Sequence, residues 1–117
     1  MKEYEEEFED IIIDGVEHCK YYVDRESRLD YCSVDDLSYE FTKTLNRRII
    51  SFPAPISEIQ GIKKVLQKCI WSFESELRYL MKSVTSLRSL KYALEEVKRR
   101  LLTYDISRYI DEVEQGE

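Results

Sequence analysis

Three observations predict an all-α fold, most simply an antiparallel four-helix bundle with a short C-terminal helix. Apolar residues recur at steps of three and four through almost the whole chain, which is the period of a helix. Gly and Pro are scarce, three and two in 117 residues, too few for the turns of an all-β fold. Charged residues make up 36% and hydrophobic ones 43%, enough for one apolar core inside solvated outer faces. The length fits a single domain over 1–117.

The first helix is expected from about Lys2 to about Arg25. Tyr4, Phe8, Ile11, Ile12, Val16, Cys19 and Val23 share its inner face. Glu3, Glu7, Asp10, Asp14 and Glu17 form a second stripe on the opposite side. Ser33 followed by Asp36 signals the cap of a second helix, with Val34, Leu37, Phe41, Leu45 and Ile49 inward. Pro53 and Pro55 end it, because each proline holds the residue before it in an extended conformation. Ser57 and Gln60 have the spacing of a capping box for a third helix.

From Ile59 the apolar stripe runs on to Leu101, but Val84, Leu87 and Leu90 follow one another at two steps of three. Those steps rotate the stripe by roughly a quarter turn. A break or sharp kink at 83–86 is therefore expected, where Ser83, Thr85 and Ser86 are good caps. The rival is one helix of about 47 residues, ~70 Å long, which could bury its stripe only by oligomerising. Asp105 is expected to cap a short terminal helix carrying Ile106, Tyr109, Ile110 and Val113.

The totals also narrow the functional classes. No apolar run is long enough for a signal peptide or a membrane span, so a cytoplasmic protein without membrane contact is expected. Cys19, Cys32 and Cys69 are an odd number at irregular spacing, which is neither a disulfide framework nor a zinc pattern. Reduced thiols are the simple expectation, with a Cys19–Cys32 bridge left open for an oxidising compartment. Cys32, in a connector, is the thiol expected to be accessible. One Asn and three Gln among so many charges fit a thermophile or an archaeal virus.

The net charge of −6 conceals a segregation. Residues 1–36 hold 4 basic and 13 acidic side chains; residues 37–104 hold 13 basic and 6 acidic ones; residues 105–117 hold 1 and 5. Acidic ends and a basic middle invite self-association as a homodimer.

Catalytic chemistry finds little support. A metal site in a helical bundle needs inward carboxylates, typically Glu-x-x-His, but Gly15 stands three residues before His18. Glu5, Glu6 and Glu9 match the first half of the magnesium pattern of the all-α nucleotide pyrophosphatases, whereas Glu26 and Asp30 miss the second half by one residue. No glycine-rich phosphate loop occurs, since Gly15, Gly61 and Gly116 are isolated. No enzyme, metal or cofactor is expected.

Trp71 does not fit a bland bundle. Helical spacing puts it on the third helix opposite Ile62, Leu66, Phe73 and Leu77, among Lys64, Lys68, Arg78 and Lys82. A tryptophan among cations can anchor a protein interface or stack on a nucleobase while the cations meet phosphates. The leading expectation is an adaptor, inhibitor or assembly subunit that presents this face to a protein; the alternative is a nucleic-acid-binding regulator using the same residues.

Overall fold

The computed structural model describes residues 1–116 and contains no strand among them. Helix α1 spans Glu5–Glu26 after a short 3-10 turn at Lys2–Tyr4. It buries the expected stripe of Phe8, Ile11, Ile12, Val16, Cys19 and Val23. It stops at Ser27, whose φ of 59° is left-handed and whose amide closes on the Val23 carbonyl. Helix α2 spans Val34–Ile49. Its capping box is fully formed: Ser33 Oγ accepts from the Asp36 amide, and the Asp36 carboxylate accepts from the Ser33 amide.

Helix α3 spans Ile56–Leu80. The expected Ser57–Gln60 box does not form, because the helix already begins at Ile56 behind Pro55. Proline presets the entry φ at −64°, and its carbonyl accepts from the Glu58 amide, so no side-chain cap is used. The break lies where the stripe rotates. A 3-10 turn at Met81–Ser83 leads to extended Val84, and Ser86 then caps helix α4, Leu87–Arg100. Ser89 takes the reciprocal role in that box.

Asp105 does not cap a separate helix. Helix α5, Ile106–Glu114, continues α4 through a π-helical turn at Leu101–Asp105, with Asp105 itself in the right-handed helical region. The wider turn absorbs one extra residue, so Leu101 and Ile106 both reach the core although five positions separate them.

The four rods are thus α1, α2, α3 and the composite α4–α5. Each lies antiparallel to two neighbours and closes a ring. His18 meets Glu40 across α1/α2, Ser38 meets Glu74 across α2/α3, Lys68 meets Glu112 across α3/α5, and Lys91 meets Asp24 across α4/α1. The closest approach is at Gly15 on α1. A Cβ there would stand 2.7 Å from the Phe41 ring, and that ring stacks on Phe73 at 4.0 Å. Glycine is what lets α1 settle on α2. Among the described residues no helix is long and apolar enough to cross a membrane.

Candidate functional site

Helix α3 packs on one side only. Val65, Leu66, Cys69, Phe73 and Leu77 enter the core, while Trp71 stands on the outer side with 69% of its surface exposed. Lys64, Arg78 and Lys82 are exposed beside it, as is Tyr79. Lys68 is half-buried: its Nζ lies 3.0 Å from Glu112 and 5.6 Å above the Tyr109 ring. Arg78 bonds Glu74 at 3.1 Å and lies 3.8 Å from Asp35. Lys82 sits over Tyr79, 5.4 Å from its centroid, and these two line a shallow cleft of about 320 Å³ with Ser75 and Arg78.

Four of the five residues expected on this face, Lys64, Lys68, Trp71 and Arg78, lie on α3 and Lys82 follows in the 3-10 turn, but they are not equivalent. Lys64 and Lys82 have no carboxylate partner among the described residues, whereas Lys68 and Arg78 are engaged. The Glu74–Arg78 pair was available to sequence reading as an i, i+4 pair. Asp35 and Glu112 come from other helices and were not.

Part of the segregated charge is satisfied within the chain. Basic α4 lies along acidic α1, where Lys91 meets Asp24 at 2.7 Å, Lys98 meets Glu17 at 3.5 Å, and Lys20 bonds Glu95. Part of the pattern that invited a homodimer thus finds partners inside one bundle. Much of the acidic stripe on α1 is exposed, as expected of a solvated face.

Elsewhere the polar groups act structurally. His18 Nε2 lies 2.7 Å from Glu40 Oε1, not beside Asp14. Burial pushes the Glu40 carboxyl up, but hydrogen bonds from His18 and Lys43 outweigh it and hold it below the ordinary range. No cluster of three or more His, Cys, Asp or Glu among the described residues is arranged to hold a metal. All three thiols are buried, and Cys32 is fully so, contrary to expectation: the 3-10 turn at Leu29–Tyr31 tucks it inward, where its Sγ donates to the Arg28 carbonyl. Burial raises each thiol, Cys69 to about 12, so none is poised as a thiolate.

A buried polar cluster at the π turn escaped the sequence reading. Ser72 and Tyr109 share a hydrogen bond, and Arg108 donates to the Tyr109 hydroxyl and to Asp105 Oδ1. Asp105 Oδ2 and the neighbouring Glu76 Oε2 are buried without a hydrogen-bond partner. Burial raises the carboxyls of both residues. Asp105 reads as a cap in sequence because nothing local marks a π turn.

Comparison of the chain with protein-family models, with curated proteins and with solved structures finds no match. The functional reading accordingly rests on the surface chemistry.

Proposed function

We propose that the protein is a non-enzymatic interaction protein that presents the outer face of α3 to a protein partner, with Trp71 as the anchor. The observation that carries this reading is the exposure of Trp71, 69%, on a helix whose opposite side is fully committed to the core. Tryptophan and arginine are over-represented among residues that dominate binding energy, and a rigid helix presents them at little entropic cost. Lys64 and Lys82 supply positive charge at either end of the face, so a partner patch carrying carboxylates complements it.

A nucleic acid suits the same face less well. Of the cations near Trp71, Lys68 and Arg78 already meet Glu112, Glu74 and Asp35, and those carboxylates at the rim repel phosphates. Tyr79 and Trp71 could still receive bases, so the two readings are separated by experiment.

The emission of Trp71, the only tryptophan, is recorded in the free protein and during titration with short DNA and RNA at low and moderate salt. A red-shifted spectrum that nucleic acid leaves unchanged is expected. Cross-linking of a protein partner should then be lost in Trp71→Ala and weakened in Lys64→Glu, with helicity and Tm preserved. Quenching that salt reverses would replace the protein partner with nucleic acid. A blue-shifted free spectrum would show Trp71 to be covered and would remove the site.

A further inference from the structure

The corner between α2 and α3 carries a second surface that the Trp71 face does not explain. Two adjoining clefts of about 360 and 270 Å³ share Ile49 and Lys63, and together form one groove along the α2–α3 seam. Ile50, Ile56, Ile59, Leu66 and Ile70 complete most of its apolar lining. Ile50 and Ile56 are 86% and 91% exposed, more than any other large apolar side chain among the described residues. Singly scattered exposed isoleucines are ordinary. Here two nearly bare ones flank the mouth of the same concave seam. Pro53 and Pro55 stiffen the corner, so little backbone freedom would be lost when something binds there.

The charge around the groove is equally one-sided. Lys63 lines it, Lys64 follows, and Arg47 lies one turn before Ile50. None of the three has a carboxylate at ion-pair distance among the described residues, while Lys20, Lys68, Lys91 and Lys98 on the other seams all do. An apolar trough with uncompensated cations at its edge is complementary to an apolar stripe with acidic flanks.

We infer that this groove docks an acidic amphipathic helix from a partner protein. Its apolar side chains, at i, i+3 or i+4 and i+7, enter the seam between Ile50 and Ile70, and its flanking carboxylates face Arg47 and Lys63. The span from Ile56 to Ile70 along α3 is about 21 Å, which matches roughly four turns of helix. A second copy of this chain fits less well. Its acidic α1 has Ile13, 38% exposed, as the aliphatic side chain on its outer face, too narrow a stripe for the trough. A lipid surface would reach Ile50 and Ile56 but not the floor of the groove, where Leu66 is 3% exposed. The inference does not rest on the Trp71 face: the two surfaces adjoin at Lys64, but the groove lies on the α2 side of α3, and Trp71, Lys64 and Lys82 are not among its lining residues.

The test is selection of a phage-displayed library of helix-forming peptides, about 16 residues long, on the immobilised full chain. Counter-selection uses the double variant Ile50→Glu/Ile56→Glu, whose two side chains project into solvent and whose helicity and Tm are checked first. Enriched peptides are expected to share the helical apolar spacing and a net negative charge. They should bind the unchanged chain at least tenfold more tightly than the double variant or Arg47→Glu/Lys63→Glu. Failure to enrich over the bare support, enrichment of neutral or basic peptides, or binding unaffected by the double variant would each overturn the inference. So would retention of the unchanged chain, but not the double variant, on phosphatidylserine vesicles, which would put lipid on this surface instead.

Discussion

Glu40 and Asp105 are both buried carboxylates, 8% and 5% exposed, and burial raises both, yet their partners leave them shifted in opposite directions. Glu40 is held below its ordinary range by His18 and Lys43 despite the cost of burial. Its contribution to stability is present above the unfolded carboxyl value and disappears as pH falls through the lowered folded one. Asp105 is raised chiefly by burial; Arg108, Ser72 and Arg100 offset only part of that, and its charge in turn helps to raise Glu76. Its protonated form suits the fold better, so it costs stability as pH rises through the raised value. Asp105→Asn should therefore raise Tm at pH 7; the gain should shrink as pH falls through the raised value and be gone below the ordinary Asp value of 3.8. Glu40→Gln should lower Tm at pH 7 by an amount that shrinks in acid. Thermal melts across pH check both signs. Trp71→Ala, by contrast, should shift stability by less than about 0.5 kcal/mol, as for an exposed side chain outside the core.

Helix ends and helix contacts were only partly legible in the sequence. Ser33–Asp36 and Ser57–Gln60 look alike, yet only the first forms a capping box, because Pro55 starts α3 before Ser57 can cap it. The rotation of the stripe at Val84–Leu90 did mark a real break, closed by Ser86 and Ser89. Ser86→Ala should cost about 1 kcal/mol, measured by denaturant unfolding. The π turn had no such mark, since Asp105 follows a leucine-rich stretch as a cap would. Gly15 shows another limit. Within a helix glycine reads as a weakness, but here it makes room for Phe41. Gly15→Ala should destabilise by about 1–2 kcal/mol, the overpacking of the Phe41 ring exceeding the helix-propensity gain.

The number of rods and their antiparallel order were legible because periodicity reports which face is buried. The same periodicity placed Trp71 outside, so the core of the candidate face was legible too. The groove was not. Ile49 and Ile59 read as the ends of buried stripes, whereas the exposed isoleucines are Ile50 and Ile56, which flank the Pro53–Pro55 turn. Charge segregation was visible but its meaning was not, since a linear tally cannot say whether opposite charges meet within a chain or between chains. The α1/α4 pairs show that some of it meets within.

The ring of antiparallel rods also has a kinetic consequence. Three of its seams join consecutive helices through short connections, whereas the α1/α4–α5 seam joins the two ends of the chain. Local contacts form early and loop closure over the whole chain comes late, so the bundle should fold fast and zip that last seam after the rate-limiting step. Lys91→Ala, which removes the contact to Asp24 there, should then accelerate unfolding and leave the folding rate nearly unchanged in a chevron plot. Gly15→Ala, on the α1/α2 hairpin, should slow folding.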